Sequence, residues 1–227
     1  MTKVYSCKIL PENDFLKLKG DLLHKIPASS VEKVLKFKKA INLQHSLLGI
    51  LMITKLVKEK FSLEPNEITF NISEKGKPYI PGLNFHFNIS HSGQWVVVSI
   101  SSTETGIDVE QIKKPNLKLA TRYFSEEEKQ WLFSKTLKGQ EKYFYTLWTL
   151  KESYLKLLGK GLTKSLSSFT IIDTDLEFKL KDNDTGINQV FFKQYFLDIG
   201  HELSVCSFSS VFADEINHIS ISELQYG

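Results

Sequence analysis

Asp108 and Glu110 stand two residues apart in Gly106-Ile107-Asp108-Val109-Glu110. On an extended strand that spacing turns both carboxylates to one face. Hard divalent cations take oxygen ligands, and Mg²⁺ commonly accepts one or two carboxylates while water and phosphate complete its shell. Glu152 offers a third carboxylate. It lies four residues from both Trp148 and Lys156, so on a helix the three share one face. Singly, each has a plainer explanation. The pair suits a solvated strand end, and Glu152–Lys156 suits a surface ion pair contributing about 0.3–0.5 kcal/mol.

Anion-binding candidates accompany the acids. His91 lies between Ser90 and Ser92 and before Gly93, where a ring N–H and a close backbone approach could serve phosphate oxygens; a turn histidine reads equally well. Lys77, between Gly76 and Pro78, could reach a phosphate or simply occupy an exposed turn. The run Lys33, Lys36, Lys38, Lys39 precedes His45 and Ser46 and resembles a solvated helix face. Glu128 closes a capping box opened by Ser125, which accounts for it without any role in chemistry.

Positioning these groups requires strands and two long helical segments. Val4 to Leu10 reads as a strand and Asn13 to His24 as a helix. Apolar spacing predicts helix from Ser30 to Phe61, capped by Ser29 or Ser30. A short strand is expected over Ile68 to Ile72, followed by a turn over Glu74 to Pro78. Phe85 to Ile89 and Trp95 to Ser101 then form paired strands joined through Ser90-His91-Ser92-Gly93. Thr105 to Val109 is the next strand, carrying Asp108, with Glu110 directly after it. A helix opens at Ser125, and another runs from about Glu141 to Leu158 and stops at Gly159, with Leu147, Lys151, Tyr154 and Leu158 on its core side. Strands follow over Phe169 to Ile172, Leu176 to Leu180, Val190 to Leu197, Glu202 to Ser209 and Ile216 to Ile221. Each half runs helix into paired strands, an α+β pattern that suggests two similar lobes, 1–103 and 104–227.

Composition narrows the function classes. Twenty-nine basic against 26 acidic residues leave a net charge of +3, too balanced to argue for nucleic acid. Cys7 and Cys206 lack metal-ligand spacing and suit idle thiols in a reducing compartment. The first ten residues lack an apolar signal core, and no apolar run of membrane-spanning length stands out. The expectation is a cytoplasmic protein.

Three motifs, in order, carry a resemblance: Phe87-Asn88-Ile89-Ser90-His91-Ser92, Gly106-Ile107-Asp108-Val109-Glu110, and Trp148-Thr149-Leu150-Lys151-Glu152-Ser153, continued by Tyr154, Lys156, Gly159, Gly161 and Leu162. With Gly76-Lys77-Pro78 and Phe124-Ser125, they make the sequence resemble the Sfp-type 4'-phosphopantetheinyl transferases from about residue 30 to 206. The resemblance implies two pseudo-symmetric α+β lobes with the active site at their interface. It implies Mg²⁺ on Asp108, Glu110 and Glu152, and coenzyme A phosphates on Lys156, His91 and Ser90. Lys33, Ser46 and Lys77 fall where the family holds the 3'-phosphate and adenine end. Ser30 and His45 depart from the family's basic residues there, which puts the grip on the 3'-phosphate in question.

The implied reaction moves the phosphopantetheine arm of coenzyme A onto a serine of an acyl or peptidyl carrier protein and releases adenosine 3',5'-bisphosphate. Glu152, directly or through a metal-bound water, is the candidate base, with Lys156 and His91 beside it. Carrier domains of peptide and polyketide synthases are the implied partners, and a monomer the implied state. Basic and apolar residues at Lys113, Lys114, Pro115, Leu117, Lys118, Arg122 and Tyr123 are the expected docking segment. The alternative is a non-catalytic module that binds coenzyme A or a carrier; loss of an acidic ligand would mark it, and all three acids are present.

Overall fold

The computed structural model describes residues 1–159, 164–174, 176–182 and 189–226. The chain opens with β1 (Thr2–Lys8), α1 (Glu12–Leu23), α2 (Ala28–Leu35) and α3 (Ala40–Phe61). The single helical stretch expected from Ser30 to Phe61 is two helices. The break holds Lys36, Lys38 and Lys39, all exposed, so closing it would stack like charges without burying apolar surface. The expected serine cap is also corrected. Pro27 caps α2 with φ −52°, its carbonyl accepting the Ser30 N–H, and both serines lie inside the first turn.

Short β2 (Asn71–Ile72) and β3 (Pro78–Tyr79) pair around Gly76, whose φ of 85° favours glycine. The strand expected from Ile68 keeps only its last two residues, because a 3-10 turn over Pro65–Glu67 precedes it. The hairpin β4 (His86–Ser92) and β5 (Trp95–Ser101) turns at Gly93-Gln94. His91 and Ser92 therefore belong to the strand, where the sequence suggested a connection.

β6 (Thr105–Gln111) leads to α4 (Leu117–Tyr123), which sequence reading missed, then to α5 (Glu126–Ser134) and α6 (Leu137–Leu158). The Ser125–Glu128 capping box forms as expected, and Gly159 ends α6 in the left-handed region at φ 60°. β7 (Thr170–Asp173), β8 (Phe178–Lys181), β9 (Phe191–Tyr195), β10 (His201–Ser207) and β11 (Phe212–His218) follow. Ile221 starts a closing helix, α7 (Ile221–Tyr226), where a strand was expected. Glu223 accepts the Ser220 N–H and Ser220 Oγ accepts the Glu223 N–H, a reciprocal cap that overrides local β propensity. Gly161 and Leu162 lie outside the described residues.

Two sheets carry the fold, ordered β11-β1-β5-β4 and β6-β10-β9. Without β11, each places its first, third and second strands side by side, all antiparallel. Each is backed by a 22-residue helix lying between its first strand and its hairpin in sequence, α3 in one and α6 in the other. The repeated topology is the pseudo-symmetric α+β pattern the sequence suggested. β11 is the addition, pairing parallel to β1 and returning the chain's end to the first sheet.

The α3 core includes Leu47, Leu48, Met52, Ile53 and Val57, and the α6 core Leu147, Leu150, Tyr154 and Leu157. α3 is long and apolar enough to cross a membrane by composition, which corrects the expectation that no such segment exists; 67% of its apolar window is buried inside the protein. α6 crosses β6 so closely that a Cβ on Gly106 would collide with the Ser153 carbonyl oxygen and the Leu157 amide. Glycine at that position sets the helix carrying Glu152 directly against the strand carrying Asp108.

Candidate active site

The two sheets meet where edge strand β4 lies along edge strand β6. Side chains of β4 meeting backbone amides of β6 join these strands. Asn88 Oδ1 accepts the Ile107 N–H at 3.0 Å, Ser90 Oγ the Val109 N–H at 3.4 Å, and Ser92 Oγ the Gln111 N–H at 3.0 Å. Three alternate residues of β4 thus satisfy three alternate amides that an edge strand would leave unpaired.

The same serines reach the acids. Ser90 donates to Asp108 Oδ1 at 2.9 Å and Ser92 donates to Glu110 Oε2 at 3.0 Å. From α6, Lys156 Nζ donates to Asp108 Oδ1 at 2.6 Å and to Ser90 Oγ at 2.8 Å. Ile89, Ser90, His91, Asp108, Glu110, Trp148, Glu152 and Lys156 line one cleft of about 340 Å³. The sequence-predicted acids, lysine, histidine and serine therefore converge, and the shared face of Trp148, Glu152 and Lys156 forms one wall.

Charge in this cleft is unbalanced. Burial pushes the Asp108 carboxyl above its ordinary value, more than the adjacent Lys156 ammonium lowers it. Glu110 is raised to about 7, first by burial and then by the Asp108 charge. Burial, followed by Asp108, also raises Glu152. His91 lines the cleft as an exposed residue whose ring has nonetheless lost part of its water. That loss, then His45 and Lys156, lowers it to about 4, so the ring is neutral at pH 7. Its ring stacks on His45 with centroids 4.5 Å apart, and His45 Nε2 donates to the Gly93 carbonyl at 3.0 Å.

The donor set fits a hard divalent cation. Asp108 Oδ2 is buried and has no hydrogen-bond partner among the described residues. Such an oxygen is costly unless a ligand meets it. No three potential metal ligands close into a cage among the described residues. An open carboxylate wall is still compatible with Mg²⁺, which keeps waters and takes substrate oxygens.

The remaining candidates lie elsewhere. Lys33 is exposed on α2 and Ser46 is half-buried on α3, next to His45; neither lines the cleft. Lys77 Nζ donates to Glu104 Oε2 at 2.6 Å and to the carbonyls of Thr105 and Leu157 at 3.0 and 3.2 Å. All three of its donors are engaged within the protein, so a phosphate contact requires releasing one. It borders a separate cavity of about 600 Å³ with His86, Glu104, Leu158 and Gly159.

Glu128 is fully buried and structural. Besides closing its capping box, it accepts from Lys151 Nζ at 2.6 and 2.7 Å and from the Ile171 N–H. Lys151 lies on the core side of α6 as predicted, but its ammonium is buried as well as its stem. Asn88 and Ser92 carry no role that the sequence alone singles out. Their alternation with Ser90 marks one face of β4, but nothing local in the sequence pairs that face with the amides of Ile107, Val109 and Gln111.

Two family profiles match the chain side by side: "4'-phosphopantetheinyl transferase, N-terminal" over residues 18–103 and "4'-phosphopantetheinyl transferase superfamily" over residues 104–206. The chain is 37% identical to 4'-phosphopantetheinyl transferase ffp of Bacillus subtilis, covering 89% of this chain and 91% of that one. It is 36% identical to 4'-phosphopantetheinyl transferase Sfp of Bacillus subtilis (strain 168), covering 85% and 87%. The human L-aminoadipate-semialdehyde dehydrogenase-phosphopantetheinyl transferase is 31% identical over 84% of this chain and 64% of its own length.

Proposed function

The chain belongs to the 4'-phosphopantetheinyl transferase superfamily, and on that premise we propose that it moves the phosphopantetheine arm of coenzyme A onto a serine of an apo carrier protein, using Mg²⁺ held by Asp108, Glu110 and Glu152. The serine oxygen forms a bond to the β-phosphorus while the bond to the α–β bridging oxygen breaks. Adenosine 3',5'-bisphosphate leaves with that bond's electron pair. The observation that carries the metal assignment is the buried Oδ2 of Asp108, without a hydrogen-bond partner among the described residues, in a cleft lined by two further carboxylates of raised pKa. Bound Mg²⁺ would neutralise phosphate charge as it builds up on the pyrophosphate.

The protein's own groups have separable tasks. Lys156 balances Asp108 when the cleft holds no substrate and supplies a charged donor to pyrophosphate oxygens when it does. His91 supplies a neutral N–H, because its lowered pKa keeps it unprotonated at pH 7. Ser90, buried and bonded to Asp108, Lys156 and the Val109 amide, orients those two charges; a phosphate contact would come in addition. Glu152 is the proton acceptor for the carrier serine, and its raised pKa brings it closer to the proton affinity a base needs near neutrality.

Lys33, Ser46 and Lys77 remain candidates for the 3'-phosphate and adenine end, with His45 supporting His91 from beneath. Lys113 and Lys114 are exposed just beyond β6, where they could meet a carrier that is acidic around its serine. Residues 1–103 and 104–227 are read as the two lobes, with β11 and α7 crossing back. The setting proposed is cytoplasmic and monomeric, with carriers of peptide or polyketide synthesis as acceptors and no nucleic-acid or membrane partner. Chromatography of a reaction containing coenzyme A, Mg²⁺ and apo carrier tests the chemistry. Adenosine 3',5'-bisphosphate formed in step with modified carrier supports transfer, whereas coenzyme A cleavage without modified carrier contradicts it.

A further inference from the structure

We infer that Ser92 is a positioning residue that fixes the Glu110 carboxylate for metal binding; this rests on the metal reading above. Ser92 Oγ accepts the Gln111 N–H at 3.0 Å and donates to Glu110 Oε2 at 3.0 Å. A hydroxyl has one proton. With the backbone amide held on a lone pair, that proton is directed to Glu110. Among the described residues, Ser92 is the one hydrogen-bond partner of this carboxylate, and Oε1 is left without a protein donor. A half-buried glutamate otherwise has three free side-chain torsions, and losing them on metal binding costs affinity.

The neighbouring rungs separate this task from ladder building. Asn88 Oδ1 accepts the Ile107 N–H at 3.0 Å with no carboxylate attached, so it joins the strands and does nothing to the acids. Ser90 joins the strands and holds Asp108, but it also carries Lys156. Ser92 joins the strands and holds Glu110 alone. Its strand neighbour Gly93 turns the hairpin at φ 55°, and the Gly93 carbonyl is held by His45 Nε2 at 3.0 Å. The rung is therefore anchored from the α3 side before it reaches across to β6.

The test compares Ser92→Ala, Ser92→Thr and Asn88→Ala by titrating Mn²⁺ into the protein–coenzyme A complex without carrier. Free Mn²⁺ is followed by electron paramagnetic resonance, and urea midpoints are recorded alongside. Ser92→Ala is expected to weaken Mn²⁺ binding about tenfold or more, as loss of a ligand-orienting hydrogen bond does. Ser92→Thr should stay within about threefold of wild type. Asn88→Ala should lower the urea midpoint while its Mn²⁺ binding stays within about twofold. Equal Mn²⁺ binding in wild type and Ser92→Ala, whatever the midpoints, overturns the inference and leaves the metal site standing. No Mn²⁺ binding in wild type overturns the metal assignment and this inference together.

Discussion

Lys156 Nζ lies 2.6 Å from Asp108 Oδ1, while Oδ2 of the same carboxylate is buried without a partner among the described residues. One oxygen is thus matched by the protein and the other awaits a ligand. Lys156→Ala should lower kcat/KM for coenzyme A at least about 10²-fold, the usual cost of removing one preorganised charge-stabilising donor. It should also increase the thermal stabilisation given by Mg²⁺, since the metal would then be the only cation facing Asp108. Steady-state kinetics and melting curves with and without Mg²⁺ check both effects; unchanged kinetics would exclude Lys156 from the reaction.

Glu152→Gln keeps the shape of the cleft and removes both a metal ligand and the proposed base. Turnover should fall by about 10³-fold or more, with coenzyme A still bound. Single-turnover measurements at saturating carrier separate this from weaker binding. A variant retaining a tenth of wild-type turnover would remove Glu152 from proton transfer.

The three motifs made the cleft legible because strand and helix periodicity fix which side chains share a face. Asp108 with Glu110, and Trp148 with Glu152 and Lys156, end on one cleft as their spacing requires. What spacing could not supply was the partner across the seam. The pairing of Asn88, Ser90 and Ser92 with β6 amides depends on two edge strands of different sheets meeting, which no local pattern encodes. α4 and α7 were missed for a local reason. Each is short, and each start is fixed by a cap, at Asn116 and Ser220, more than by any apolar stripe. Lys77 looked available in sequence because its turn is exposed; its ammonium folds back onto Glu104 and two carbonyls.

Metal affinity should depend on pH through Glu110. Its carboxyl is raised to about 7, so the protonated form grows as pH falls below that value, and the ligand must lose its proton to bind. Apparent Mg²⁺ affinity should be nearly flat above pH 8 and fall toward tenfold per pH unit below about 6. Glu110→Gln should weaken binding and flatten that slope. The Mg²⁺ concentration giving half-maximal rate, measured from pH 5.5 to 8.5, reads the effect; the same slope in Glu110→Gln would assign it to another group.

The Lys151–Glu128 pair is fully buried at both ends and bound further to Phe169 O and the Ile171 N–H. Burial lowers the lysine to about 8, against the pull of Glu128. Glu128→Ala should destabilise the fold by about 3–5 kcal/mol, because it leaves a buried ammonium unpaired and removes a cap. Urea unfolding checks this. Metal binding by the folded fraction should not change, since Glu128 is outside the cleft.

Reversing Lys113 and Lys114 to Glu should raise KM for an acidic carrier about tenfold and leave KM for coenzyme A within about twofold. The effect should shrink as salt is raised. Equal carrier KM in wild type and variant would move docking to another surface.

The most direct measurement is intact mass spectrometry of an apo carrier protein incubated with this protein, coenzyme A and Mg²⁺. The carrier should gain the mass of one phosphopantetheine group, and the gain should be abolished by chelator and by Asp108→Ala. An unmodified carrier across acyl and peptidyl types, with coenzyme A still bound to the protein, would contradict transfer and leave a binding module in its place.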